Sequence, residues 1–184
     1  MTRGLSDSFG GTRFKCVRRI VLLAGLVVFA LFELFDVFGI RINSSPSLPL
    51  GLYAAGMGAQ MDLIEFCPAE PFATFAIVRG YRDDGNCVDG AAPLLKPIVA
   101  RPGDVVELSE RGIAVNCRLL PRTAPLHRDS QGRPLSHWPF GQYRVSEGTL
   151  WVASSYNDRS FDSRYFGPVD QRLIRGHLRP LLTQ

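Results

Sequence analysis

Residues 94–117 read LLKPIVARPGDVVELSERGIAVNC and set a single lysine inside an apolar run that leads into two β-rich segments. These segments, 104–108 and 113–117, flank a short turn at 109–112 that ends in glycine. Two such segments joined by a few turn residues are typical of a β-hairpin. The stretch therefore predicts antiparallel β-structure, with Lys96 at a place where a charged residue is not expected.

Further short segments typical of strands, bounded by glycine and proline, occur at 51–53, 62–66 and 149–154. Residues 71–81 indicate a short helix. Residues 118–143 have weak periodicity and several prolines, which is typical of a long loop or a protruding hairpin. The pattern predicts a mostly β body of antiparallel strands, folded as a sandwich or as a closed or half-closed barrel.

The chain has 184 residues, of which 46% are hydrophobic and 21% charged, enough for one globular domain and one membrane segment. The formal net charge of +4 does not indicate nucleic acid as a partner. The cations form no Lys/Arg block interleaved with aromatic residues. Part of the excess lies on the N-terminal side of one apolar segment, in Arg3, Arg13, Lys15, Arg18 and Arg19.

That apolar segment covers residues 20–40, close to the roughly 20 residues that a membrane-spanning helix needs. Glu33 and Asp36 lie near its far end, where a carboxylate costs less than at the bilayer centre, so we expect them to mark the outer edge. The basic flank predicts a cytoplasmic N-terminus, and no small-residue cleavage site follows the segment. The sequence thus predicts a cytoplasmic segment at 1–19, an uncleaved transmembrane anchor at 20–40 and an outer domain at 41–184.

The cysteines agree with this topology. Cys16 precedes the anchor, whereas Cys67 and Cys87 fall in the outer domain. A disulfide between these two would close a loop of about 20 residues and contribute roughly 3 kcal/mol. The alternatives are two free thiols or a pairing with Cys117. The spacing fits no zinc pattern and the three histidines are scattered, so we expect no metal and no cofactor.

The apolar setting of Lys96 indicates a candidate general base. Two leucines precede it, and Ile98 and Val99 follow after Pro97. Burial lowers the pKa of a lysine, which must fall about 3 units from ~10.4 before the amine is neutral at pH 7. A neutral amine can remove the proton of an attacking serine. The alternative is a strand lysine whose amine reaches solvent, which is common.

The serine that such a base would serve is Ser47, within SPSLP at 45–49. The prolines fix φ and stiffen the backbone, which suits a nucleophile that is presented to a substrate carbonyl. The same five residues could also form a turn without any chemistry.

Three segments together resemble the sequence boxes of type I signal peptidases. Residues 45–49 resemble the S-x-S-[ML] nucleophile box, and 47–53, SLPLGLY, look more like the S-x-P-x-G-x-Y box of the TraF-type conjugal-transfer peptidases. Residues 95–104 resemble the lysine box, and 160–169, SFDSRYFGPV, are similar to the third box. Leu48 stands where the general enzymes usually have methionine, and the Gly-Asp-Asn that they carry before the third box is missing.

The resemblance implies a role for further residues. Ser45 matches the hydroxyl that helps the Ser47 amide to hold the oxyanion, and Ser160 matches the serine that orients the lysine amine. Asp162 and Arg164 match a structural ion pair near the site, although by themselves they could form a solvated surface contact.

The resemblance implies a membrane-anchored serine endopeptidase in the bacterial inner membrane, with its catalytic domain in the periplasm. Its substrate is expected to be an exported pilin-like precursor that binds as an added strand, with small side chains before the cut, and its partners to be conjugative transfer machinery. The acyl-enzyme is resolved either by water or by an amine, which in some TraF-type members gives a circular pilin. One alternative is a general signal peptidase, and another is a non-catalytic anchored β-domain that scaffolds pilus assembly.

Overall fold

The computed structural model describes Lys15, residues 17–27, Phe29, residues 39–56 and residues 62–184. The chain divides into two compact units, Met1–Ile40 and Arg41–Gln184. In the first unit, Lys15, 17–27 and Phe29 are helical. The described residues contain no helix that is both long and apolar enough to cross a bilayer. About half of the predicted anchor, residue 28 and residues 30–38 with Glu33 and Asp36 among them, lies outside the described residues.

The second unit consists mainly of strands. In chain order its elements are β1 Ile40–Asn43, β2 Gly51–Gly56, β3 Leu63–Phe66, α1 Phe72–Val78, β4 Leu94–Ala100, β5 Val105–Ser109, β6 Gly112–Val115, β7 Arg118–Leu119, β8 Gly141–Arg144, β9 Thr149–Val152, α2 Ser163–Phe166, β10 Val169–Asp170, a 3₁₀ turn Gln171–Leu173 and β11 Ile174–Thr183. The mostly β class and the 104–117 hairpin are therefore confirmed.

The strands form two sheets. One has seven strands in the order β1-β2-β11-β3-β4-β9-β10, and the other has four in the order β7-β6-β5-β8. The pairings from β2 to β10 and throughout the second sheet are antiparallel. Because β1 and β10 end the larger sheet and do not pair with each other within the described residues, this sheet is open, so the closed form among the expected alternatives is not present.

Two apolar clusters hold the strands together. Ile64, Phe66 and Val152 belong to the first cluster, which packs against the aromatic rings of α1 and α2. Val106 and Trp151 belong to the second, beneath the four-stranded sheet. Because β4 and β9 contribute to both clusters, the strand that carries Lys96 lies at the centre of the body.

The segment between β3 and β4 is closed by the predicted Cys67–Cys87 disulfide, which is present, while Cys117 is free and exposed. The helix that the sequence predicts over 71–81 is shorter, because α1 ends at Val78. Gly80 has a φ of 68°, a left-handed conformation that glycine adopts without strain and that reverses the chain after the helix.

Candidate functional site

The candidate nucleophile Ser47 lies in the turn between β1 and β2, residues 44–50, which we call the nucleophile turn. Every carbonyl oxygen from residue 45 to residue 49 accepts a hydrogen bond from a side chain. The donors are Asn43 to Ser45 O (3.0 Å), Asn157 to Pro46 O (3.1 Å), Ser154 to Ser47 O, Asn43 to Leu48 O (3.3 Å), and Asn43 and Tyr53 to Pro49 O (3.0 and 2.7 Å). With five consecutive carbonyls held in this way, the backbone around Ser47 has little freedom to move.

Asn43 organises the turn from its N-terminal side. Its side chain is buried, with 8% of the residue exposed. While Nδ2 donates to the three carbonyls, Oδ1 accepts a hydrogen bond from the backbone N–H of Ser45 at 3.2 Å. Both ends of the amide are thus used, so the buried polar group is satisfied by the turn that it shapes.

Ser154 holds the turn from the opposite side. It follows β9 and is fully buried. Its Oγ donates to the carbonyl of Ser47 and accepts from the backbone N–H groups of Tyr156 and Asn157 at 3.1 and 3.4 Å. Its own backbone N–H donates to Oδ2 of Asp162 at 3.0 Å. Ser154 therefore connects the nucleophile turn to the buried acid beside α2.

Lys96 occupies a buried position because of the two-residue period of β4. Buried and half-buried residues alternate strictly along Leu94–Ala100, and Lys96 shares the buried face with Leu94 and Ile98. Only 3% of Lys96 is exposed. Burial lowers the pKa of its amine to about 8; the charge of Asp162 opposes this change, and that of Arg164 adds to it.

The amine is therefore buried and its pKa is lowered, as the sequence indicates, although by less than the roughly 3 units that a neutral amine at pH 7 requires. A pKa of about 8 leaves it mostly protonated at pH 7. The carboxylate of Asp162, which favours the charged amine, is a contribution that the apolar neighbours of Lys96 in sequence do not reveal.

Ser45 lies directly beside Ser47. Its hydroxyl donates to Oγ of Ser47 at 3.3 Å and accepts from the backbone N–H of Ser47 at 3.4 Å. Both bonds are long, so the hydroxyl can rotate towards a substrate at small cost. The Ser45 hydroxyl and the Ser47 amide are thus close enough to donate to one shared oxygen atom.

Asp162 and Arg164 form an ion pair whose two side chains are fully buried. Nε and Nη2 of Arg164 donate to the two carboxylate oxygens at 2.8 and 2.9 Å. The remaining donors are used by the backbone carbonyls of Arg122, Ala124, Asp158 and Ser160. Removal of either partner would leave a buried charge without compensation, so the pair holds the 122–124 segment against α2.

The side chains of Ser45, Ser47 and Lys96 line one cavity of about 310 Å³. A second cavity of about 210 Å³ also reaches Ser45 and Lys96 and extends towards Arg41 and Arg82. Ser45 and Lys96 therefore border both cavities, whereas Ser47 lines the first.

Two expected hydrogen bonds are not formed in the described part of the chain. Ser47 Oγ and Lys96 Nζ are not joined by a hydrogen bond. The Lys96 amine also does not donate to Ser160, whose buried Oγ has no hydrogen-bond partner. Ser160 is 1% exposed. The described residues also contain no group of three or more His, Cys, Asp or Glu side chains arranged to hold a metal ion.

Sequence reasoning missed Asn43, Ser154 and Asn157. The sequence marks these residues only by their positions: Asn43 precedes the nucleophile turn, and Ser154 and Asn157 follow a strand. Asparagine and serine are frequent at such places for local reasons, so their contacts with the turn could not be separated from ordinary turn chemistry.

The chain is similar to known proteins over most of its length. The family model described as "Signal peptidase, peptidase S26" matches residues 13–182. A plasmid transfer protein TraF from Escherichia coli is 32% identical over 89% of this chain and 93% of its own. The conjugal transfer protein TraF from Agrobacterium fabrum is 34% identical over 92% of this chain and 97% of its own.

A solved signal peptidase I from Enterococcus faecalis aligns with a TM-score of 0.37 and 22% identity, covering 68% of this chain and 99% of that one. The family match spans nearly the whole chain, and the TraF proteins align over almost their full length. The chain therefore belongs to the peptidase S26 family of signal peptidases, and within it to the TraF proteins of conjugal transfer.

Proposed function

We propose that this protein is a membrane-anchored serine endopeptidase that cleaves an exported precursor, a pilin-like subunit of a conjugative transfer system. The observation that carries the proposal is that Ser47 and the buried Lys96 line the same cavity. The peptidase family supports the reaction class, and the names of the conjugal transfer relatives support the setting.

The reaction begins when the neutral amine of Lys96 removes the proton from Ser47 Oγ. The oxygen attacks the carbonyl carbon of the scissile bond and forms a tetrahedral oxyanion. The protonated amine then gives its proton to the leaving nitrogen, the C–N bond breaks and an acyl-enzyme remains. Water attacks the ester to release a carboxylic acid, or an amine attacks to form a new peptide bond, and Ser47 recovers its proton in either case.

The oxyanion is held by the Ser47 N–H and the Ser45 hydroxyl. These two donors are 3.4 Å apart in the substrate-free site; the N–H is fixed by the backbone, and the hydroxyl rotates to the substrate oxygen as charge develops on it. The hydroxyl of Ser160 is buried without a partner in the substrate-free site, so it is available to accept a hydrogen bond from the Lys96 amine and orient it during proton transfer.

The anchor proposed at residues 20–40 determines where the substrate meets the catalytic site. With 1–19 in the cytoplasm and the catalytic domain in the periplasm, the nucleophile turn begins only a few residues beyond the membrane. A precursor that emerges from the inner membrane meets the site in an extended conformation and adds to the domain as a strand.

Mass spectrometry of the candidate pilin, from cells with the wild-type protein, with a Ser47→Ala variant or without the gene, tests this function. We expect a processed pilin with the wild type alone. A product one water lighter than the linear fragment identifies cyclisation, and the linear mass identifies hydrolysis. Full processing by the Ser47→Ala variant would instead support the scaffold alternative, and cleavage of many unrelated exported proteins would support a general signal peptidase.

A further inference from the structure

The cavity that contains Ser47 carries an excess of positive charge. Its apolar lining residues include Leu94, Leu126, Leu135 and Phe161. Its charged lining residues are Lys96, Arg128, Arg159 and a single acid, Asp129. An occupant of this cavity thus meets apolar side chains and more cations than anions.

The one acid in the lining does not neutralise the two arginines. Oδ2 of Asp129 accepts hydrogen bonds from Arg79, Tyr81 and Arg133 at 3.2, 2.7 and 2.7 Å. Its Oδ1 accepts from two backbone N–H groups of its own loop. With 4% of its side chain exposed, Asp129 serves to hold the 126–135 loop against the end of α1 and is occupied by its own partners.

Arg159 is fixed beside the nucleophile by its backbone, whereas its guanidinium is unused. Its N–H donates to Oδ1 of Asn157 at 2.9 Å, and Nδ2 of the same asparagine donates to the carbonyl of Pro46 at 3.1 Å. One side chain thus joins Arg159 to the residue that precedes Ser47. Within the described residues the Arg159 guanidinium makes no hydrogen bond or ion pair, while Arg128 donates to Gly132 O in its own loop.

We propose that this cavity is a charge-selective subsite, in which Arg159, together with Arg128, binds a carboxylate of the substrate close to the scissile bond while an apolar side chain of the substrate packs against the apolar lining. The inference rests on the proposed peptidase function and specifies its substrate class. An arginine guanidinium suits a carboxylate because its planar donors match the two oxygens. The carboxylate is either an Asp or Glu side chain or the C-terminus of the substrate.

The test uses the full chain in detergent micelles and a synthetic library of unstructured tetradecapeptides, prepared with free and with amidated C-termini. Mass spectrometry of the products identifies the cut sites. We expect Asp or Glu to be enriched at one position near the cut, or cleavage to be confined to free C-termini when the terminal carboxylate is the ligand. For a cleaved peptide, we expect kcat/KM to fall roughly twofold to fivefold on replacing Glu by Gln, or the free C-terminus by the amide.

Arg159→Glu should abolish this preference and favour a peptide that carries Lys at the same position. Arg111→Glu is the matched control, because it makes the same change of charge on an exposed arginine in the β5–β6 turn, outside the cavity lining. It should retain the wild-type preference.

Two failures can be told apart. The subsite is overturned, and the peptidase function kept, if Ser47→Ala blocks cleavage but the wild type shows no preference for a carboxylate. The same conclusion follows if the Arg159→Glu variant keeps the wild-type preference. If the wild type cleaves no more peptides than Ser47→Ala, the proposed function fails and the subsite with it.

Discussion

The side chain of Ser154 donates a hydrogen bond to the backbone carbonyl of Ser47, across 107 positions of sequence. Since the N–H of Ser154 also donates to Asp162, one residue ties the candidate nucleophile to the buried Asp162–Arg164 pair. That pair acts on Lys96 as well, through its charges. The same buried group is thus linked to the nucleophile by hydrogen bonds and to the candidate base by charge, even though no hydrogen bond joins Ser47 to Lys96 within the described residues.

Ser154→Ala should lower kcat by about tenfold to a hundredfold and leave KM nearly unchanged, because a misplaced nucleophile slows the chemical step more than binding. Ser155→Ala is the matched control, since its hydroxyl forms no hydrogen bond with the nucleophile turn within the described residues, and it should behave as wild type. Steady-state kinetics on a cleaved peptide measures both constants. A rise in KM with kcat unchanged would show that Ser154 contributes to substrate binding instead.

Local patterns were sufficient to predict the hairpin, the mostly β class and the burial of Lys96. These features depend on alternation and turn chemistry within a few residues. The hydrogen bonds that hold the nucleophile turn could not be predicted in this way, because their donors Ser154 and Asn157 lie more than a hundred residues further along the chain. Such contacts exist only after the sheet has brought β9 beside the nucleophile turn.

The strand β11 was also missed, although it pairs with both β2 and β3 inside the larger sheet. Its sequence, IRGHLRPLLT, contains Gly176 and Pro180, which argue against a central strand. In the structure the register with β2 shifts between Pro180 and Leu182. The irregularity accommodates a residue without an N–H, so the rule against proline does not apply at this position.

The activity should depend on pH through the protonation of Lys96. Only the neutral amine accepts a proton, and burial sets its pKa at about 8. Below this value kcat/KM should fall close to tenfold per pH unit, and above it the rate should level off. Lys96→Arg and Lys96→Ala should both abolish cleavage, since arginine stays charged. A profile that is flat between pH 6 and about 9, or activity in the arginine variant, would contradict the assignment of Lys96 as base.

The same burial should cost stability. The pKa of Lys96 falls from 10.5 in the unfolded chain to about 8 in the folded one, so the folded state disfavours the charged amine. This penalty is fully present below pH 8 and disappears as the pH rises through 10.5. Lys96→Met, which keeps the volume and removes the charge, should therefore raise the free energy of unfolding by on the order of 3 kcal/mol at pH 7.

Urea denaturation of the full chain in micelles, at pH 7 and at about pH 10, measures this difference for both proteins. The advantage of the methionine variant should shrink at the higher pH. An equal advantage at both pH values would show that packing, and not the buried charge, separates the two proteins.

Ser45→Ala should lower kcat by roughly 10²–10³ with KM nearly unchanged. The Ser45 hydroxyl lies 3.4 Å from the Ser47 N–H in the free site, so it is placed to donate to an oxygen that becomes charged only in the transition state. Ser44→Ala is the matched control, because Ser44 is an exposed neighbour in the same turn and should keep its rate. Ser45→Thr retains a hydroxyl at the same atom and should recover part of the loss. If Ser45→Ala instead raises KM at unchanged kcat, the hydroxyl contacts the bound substrate and the oxyanion is held without it.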